Sequence, residues 1–403
     1  MKEWRYQTLD ITRGLAALSV FVAHWGGWTQ AEPIQNAGDV AVSTIQKWIA
    51  FVWCAGGIHP GVVVFIVLSG FCIHFPLACQ PLRRCEPGFW KSYFIRRTLR
   101  IGPVFWFAIF LGVLFTALGL YYPAFRPAFN SGLLSGSGIL VSFGGLAEVG
   151  RYFLPAETLY PGNAPLCSVG AEIVLYASYP ILLAVHRRAG IAAVLGIGAT
   201  GFGIIAAFRF AGVQPEFLHG TFFEFLLYWI FGAISVECFA RFKAPWHGRV
   251  GWVVSLMLGA AYVLIGHSVA VRGMHVLMTP LMASACAAGL YAVTFTESVN
   301  MTRFKRLRVF LGTLSDRSYS FFACHTPVLA MTILAIRLSN HGAAPFAERW
   351  LGLIAVVLAT EFSYRLIERP SHLLAKRIGQ MAKPPSMPDV GGHPRLLDAQ
   401  HCD

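Results

Sequence analysis

The chain has 403 residues, 56% of them hydrophobic and only 13% charged, against the ~25% charged residues usual in soluble domains. That balance excludes a disordered chain, a coiled coil and a soluble enzyme with a single anchor, and it points to an all-α, polytopic membrane protein. The net charge of +13 would suit nucleic acid if spread over a surface, but confined to short loops it sets membrane topology, and no nucleic-acid partner is expected.

Windows of ~20 residues place about ten transmembrane helices at 9–28, 58–79, 101–122, 166–185, 189–210, 221–240, 250–269, 276–296, 318–338 and 350–367. Basic loops (RRCEPGFWKSYFIRR, HRR, RFKAPWHGR and TRFKRLR) alternate with segments such as 29–57 and 123–165 that hold few Lys or Arg. With both termini cytoplasmic, 25 of the 32 Lys and Arg fall on the cytoplasmic side, the arrangement that the positive-inside rule selects. The first span lacks a small-residue cleavage pattern after it and reads as a retained helix. Residues 131–146 (SGLLSGSGILVSFGGL) are apolar but short and rich in Gly and Ser, which suits a re-entrant or interfacial segment. Residues 1–380 thus read as one membrane domain, and 381–403, rich in Pro, Gly and charge, as a disordered cytoplasmic tail.

Ionisable side chains inside spans cost roughly 2.5–3.5 kcal/mol each on insertion scales, so each needs a partner or a purpose. The first span holds Asp10, Arg13 and His24. At 100° per residue Arg13 and His24 differ by only about 20°, so they share a face and lie ~16 Å apart along a groove lined by Gly14, Ala17 and Phe21. The fourth span opens LCSVGAEIVLYASYP, with Glu172 one turn from Ser168 and Tyr176. Counting the rise per residue puts Glu172 and His24 at matching depths in the outer half of a ~30 Å core. Arg96, Arg97 and Arg100 read as inside-positive anchors, the default for arginines flanking a span, or as functional groups. Glu224, Glu237, His267 and Glu361 read as helix caps or packing contacts. The nine cysteines lie mostly within spans without C-x-x-C or zinc spacing and read as core filler. Without HExxH, P-loop or GxGxxG patterns, the sequence supports neither a bound metal nor nucleotide hydrolysis nor a dinucleotide site.

LDITRGLAALSVFVAH resembles the first-span signature of the integral-membrane acyltransferase family 3, in which an arginine precedes a histidine with ten residues between them; Arg13 and His24 match it. GVVVFIVLSGF around Ser69, FIRRTLRIGPVFWF, CSVGAEIVLYASYP, SYSFFACHTPV around His325 and SYRLIERP around Glu368 are similar to the family's later motifs, in order, from residue 9 to 370. Thr12 stands in place of a usual glycine, Val63 of a frequent acidic residue and Cys167 of a common tryptophan. The chain resembles the stand-alone type, without an added esterase-like domain.

The resemblance implies transfer of an acyl group, usually acetyl from acetyl-CoA, to a hydroxyl of a cell-surface or secreted carbohydrate or glycolipid, at the inner (plasma) membrane and without a metal. On this reading His24 is the general base, since histidine titrates near neutral pH. Glu172 orients the imidazole or holds acceptor hydroxyls, and Arg13, Arg97 and Arg100 bind CoA phosphates. Ser69, Tyr176 and His325 are substrate-binding candidates. The outer segments, with Trp48, Trp53, Tyr152 and Tyr160, form either the acceptor's entrance or an interfacial aromatic belt. The rival reading is a secondary transporter or flippase whose intramembrane His, Arg and Glu form a proton relay or substrate site. Such a protein has no need of a histidine and an arginine cluster joined by a groove of CoA length.

Overall fold

The computed structural model describes residues 3–28, 58–79, 88–121, 134–155, 158–212, 221–242, 246–266, 275–295, 305–342 and 344–381. Long apolar runs must bond their own backbone groups in lipid, and the regular structure of the described residues is helical throughout. The helices are α1 (Glu3–Trp28), α2 (Pro60–Cys79), α3 (Phe89–Tyr121), the short α4 (Gly136–Phe143) and α5 (Ala147–Gly150), α6 (Leu166–Phe210) and α7 (Phe222–Arg241). There follow α8 (Trp246–Gly266), α9 (His275–Phe295), α10 (Lys305–Asp316), α11 (Ser318–Ser339), α12 (Pro345–Ser363) and α13 (Arg369–Met381), with a π-helical turn (Tyr364–Glu368) joining the last two.

Each of the ten expected spans falls on one of these helices, and among the described residues seven helices are long and apolar enough to cross a membrane. One of the seven, α6, runs for 45 residues and carries two expected spans, which meet at Gly190 with φ 79°, a value open to glycine and costly for other residues. Another runs from α12 through the π turn into α13, and α9 adds a shorter apolar stretch, Met278–Thr294. Outward faces carry large apolar side chains, such as Trp252, Leu256, Met257 and Leu264 on α8, as a multi-pass membrane protein requires. The segments around Trp48 and Trp53, His267 and the tail beyond Met381 lie outside the described residues.

At the centre α2 crosses α7 at closest approach. A Cβ on Gly70 would collide with the Trp229 carbonyl, and one on Gly232 with the Val67 carbonyl, so the two backbones touch through paired glycines. Helices α1, α6 and α9 pack around this pair, while α3, α11 and α13 form the opposite side of the bundle. Two bidentate ion pairs fix neighbouring helices: Arg209 to Glu224 at 3.0 and 3.2 Å joins α6 to α7, and Arg337 to Glu348 at 2.8 and 2.9 Å joins α11 to α12. Glu361 likewise pairs with Arg317 and Arg365. Glu224 and Glu361 are therefore the packing contacts expected of them.

The chain ahead of α6 does not stay at the rim. Asn163 donates its amide to the carbonyls of Ala323 (2.9 Å) and Ala108 (3.4 Å), so this segment is wedged between α3 and α11. Gly112 admits the Pro161 carbonyl there, which no side chain would allow. Of segment 131–146, the described part holds α4, eight residues long and too short to span; it lies against α3, where Trp106 donates its indole N–H to the Phe143 carbonyl (2.9 Å). Tyr160 is buried against Phe105 rather than placed at an entrance or in a belt, whereas Tyr152 is exposed.

Candidate active site

Six of the expected site residues, Arg13, Ser69, Arg97, Arg100, Glu172 and Tyr176, line one cavity of about 580 Å³. It lies among α1, α2, α3, α6, α10, α11 and α13. Pro103 removes a backbone donor from α3 one turn beyond Arg100. Near Pro103 α13 packs along α3, and the Tyr319 hydroxyl on α11 donates to the Ile101 carbonyl at 3.0 Å. Those contacts hold the arginine-bearing turn of α3 against α11 and α13.

The cavity carries both signs of charge. Arg96 and Lys376 join the three expected arginines, against Asp10, Glu172, Asp316 and Glu368. Arg13 pairs with Asp10 one turn below it at 3.0 Å. Glu368 is turned inward by the π-helical turn and accepts from the Ser320 N–H (3.1 Å) and hydroxyl, capping the first turn of α11. Ser69 donates to the Tyr176 hydroxyl at 3.1 Å, and Tyr176 donates in turn to the Glu172 carboxylate, which makes a three-residue hydrogen-bond chain across α2 and α6. The Arg97 guanidinium stands over the rings of Tyr93 (5.6 Å) and Tyr176 (5.4 Å), and its Nε–H is buried without a hydrogen-bond partner. A buried charged donor left in that state favours an anionic group in the cavity.

The two expected histidines meet elsewhere. His24 Nδ1 lies 2.9 Å from His325 Nε2, with the rings stacked at 5.0 Å between centroids. The proton positions follow from a carbonyl, which only accepts: His325 Nδ1–H donates to the Phe322 carbonyl at 2.7 Å, so His325 Nε2 accepts from His24 Nδ1–H. The remaining ring nitrogen of His24, Nε2, then carries the lone pair. Thr326 donates to the same His325 Nε2 at 3.1 Å, further fixing that ring. Phe322 packs between His325 and Phe65, and Phe65 lines the cavity, so one aromatic layer separates the histidine pair from the arginine-lined space.

The structure separates Glu172 from the histidines along the bundle. Asn163 docks at Ala323, two residues from His325, and Glu172 lies farther on, six residues or about 9 Å into α6. The expected match in depth assumed that α6 begins at the membrane boundary, whereas its leading segment is wedged into the bundle. Instead Glu172 shares the cavity with Arg13, Arg97 and Arg100.

Sequence reasoning misses His59. It is buried immediately before Pro60 at the start of α2, with Nδ1 accepting the Gly61 N–H at 3.0 Å. A histidine in front of a helix-starting proline reads as a boundary residue, which hides it. Glu368, visible in a quoted motif, and His372 also belong to the cavity. Glu237, read as a cap or packing residue, bonds His74 at 2.7 Å and lies 3.7 Å from His186.

A curated relative, the "Regulator of hypoxia-inducible factor 1" of Caenorhabditis elegans, is 26% identical over 185 residues, covering 44% of this chain and 34% of that protein. The match therefore spans about a third of the relative's length. No solved structure matches. The model of the acyltransferase 3 family, described as an acyltransferase domain, matches residues 6–364, from the helix that bears Arg13 and His24 to the turn that leads into Glu368, and the chain belongs to that family.

Proposed function

We propose that the protein is a membrane O-acyltransferase that moves an acyl group, acetyl in the simplest case, from cytoplasmic acyl-CoA to a hydroxyl of a cell-surface or secreted carbohydrate. On this reading it spans the plasma (inner) membrane about ten times with both termini in the cytoplasm. The observation that carries the proposal is the Arg97 guanidinium, held between two tyrosine rings with a buried donor unused, in a cavity that also holds Arg13 and Arg100. The phosphates of CoA supply the acceptors these donors call for. Arg13 and His24 lie ~16 Å apart along α1, the reach of a pantetheine arm, although the face between them is packed, with Gly14 against the Ser315 backbone and Ala17 and Phe21 buried.

The acceptor hydroxyl gives its proton to His24 Nε2 as its oxygen attacks the thioester carbonyl. The carbon–sulfur bond then breaks, and the departing thiolate takes the proton back from the imidazolium. His325 is a positioning residue that keeps His24 Nδ1 protonated. The Ser69–Tyr176–Glu172 chain lies beside the proposed donor phosphates and shapes the cavity, so its role falls on the donor rather than the acceptor side.

Titration of detergent-purified protein with CoA tests the donor assignment: saturable binding is expected, weakened in Arg97→Ala. Absence of CoA binding by the parent would favour the transporter reading. A mass-spectrometric comparison of surface glycans from cells with and without the protein identifies the acceptor.

A further inference from the structure

A second polar cluster lies just outside the cavity wall, independent of the acyl-transfer reading. It joins His74 of α2, His186 of α6, four residues before the reversal at Gly190, and Glu237 of α7. One ligand atom from each lies within 4.8 Å of the others, and the side chains are 5%, 17% and 15% exposed. His74 Nε2 and His186 Nε2 both face the same carboxylate oxygen, Oε1 of Glu237, at 2.7 and 3.7 Å. The other oxygen, Oε2, faces Arg241 at 3.9 Å. Hydrogen bonding accounts for one of the two imidazoles, since 3.7 Å is too long for the second.

We propose that His74, His186 and Glu237 form a binding site for a divalent transition-metal ion of the zinc type. An ion about 2.0–2.2 Å from two imidazole nitrogens and one carboxylate oxygen engages all three side chains once the 2.7 Å pair opens and the wider pair closes by up to about an ångström, and water completes a tetrahedron. Two imidazoles and one carboxylate suit zinc, cobalt or nickel, whereas magnesium and calcium take oxygen ligands.

Two further features are those of a metal site. His74 Nδ1 lies 3.0 Å from the hydroxyl of Tyr179, a buried residue, and an Nδ1–H donated to that oxygen directs the Nε2 lone pair at the ion. The positions of His74 and Glu237 are set in advance, because they follow Gly70 and Gly232, the contact points of α2 and α7, by four and five residues. Tyr179 lines the arginine cavity and none of the three ligands does, so the ion ties α2, α6 and α7 behind that wall without touching the bound donor.

The test uses the full chain purified in detergent with its affinity tag removed. Dialysed protein is titrated with Co²⁺, followed by its visible absorption, and the ion retained after dialysis against metal-free buffer is counted by mass spectrometry. The parent should hold about one ion per chain. His186→Ala and Glu237→Gln should weaken binding more than about 100-fold, and Tyr179→Phe about tenfold. Glu237→Gln keeps an acceptor for His74, so the helix contact survives while the ligand charge is lost. A parent that binds no Co²⁺ and retains no metal overturns the proposal, whatever the variants do. So does a His186→Ala protein that binds Co²⁺ as the parent does.

Discussion

Two sets of arginines lie within this bundle, and they differ in how their donors are used. Arg209 and Arg337 each present a fork of two N–H groups to a carboxylate that is almost fully buried, Glu224 or Glu348. Arg97 faces two aromatic rings instead and keeps a buried Nε–H without a partner. The first set holds helices together. The second is arranged for a group that comes and goes, because a permanent partner would compete with an incoming anion. Residue type and position along a span do not distinguish the sets, but their partners do.

The largest expected effect separates both sets from the chemistry. His24→Ala should lower acyl transfer by roughly 10²–10⁴-fold while CoA binding stays within about twofold, because a general base accelerates the reaction without anchoring the donor. Transfer near the parent's rate in a quantitative assay would remove His24 from the reaction. Next comes the scaffold set: Arg337→Ala strands the Glu348 carboxylate, 1% exposed, and should cost about 3–5 kcal/mol of stability. A melting curve in detergent reads this loss, and an unchanged curve would erase the distinction between the two sets.

The cavity set should respond the other way round. Arg97→Ala is expected to weaken CoA binding by about 10- to 100-fold with little change in melting temperature, and Arg97→Lys to recover only part of it, since the planar fork and the stacking between tyrosines are lost. Full recovery by lysine in a calorimetric titration would reduce the site to charge alone.

The smallest effect concerns a third arrangement. Glu148 pairs with Arg151 at 3.2 Å and accepts the Phe222 N–H at the start of α7. Burial outweighs the arginine and the hydrogen bond, and it raises the Glu148 pKa from 4.5 to about 7. Between those values the folded chain binds more protons than the unfolded one, so this group's contribution to stability declines as pH rises from about 4.5 to 7 and is level above that. Melting temperatures across this range should fall less for Glu148→Gln than for the parent. Parallel curves would mean that Arg151 keeps the carboxylate ionised throughout.

Much of the scaffold is legible in the sequence because lipid leaves an apolar run little choice but helix. The shared face of Arg13 and His24 follows from helical periodicity alone, whereas the contact of His24 with His325 does not. The separation of Glu172 from His24 is not legible. It depends on Asn163 reaching two carbonyls on other helices and on Gly112 making room, contacts between positions far apart in the chain. The cluster of His74, His186 and Glu237 is hidden for the same reason: no spacing rule connects residues from three separate helices.

The contact of Gly70 with Trp229, and of Gly232 with Val67, has a mechanical consequence. Helices that touch backbone to backbone have no side-chain layer to compress or slide upon, so α2 and α7 move as one body. On the acyl-transfer reading, a donor entering the cavity therefore leaves this pair in place, and any adjustment falls on the other walls, α1, α3 and α13 among them. The cavity thus has one fixed jamb, with Arg97 and Arg100 mounted on α3 and Arg13 on α1.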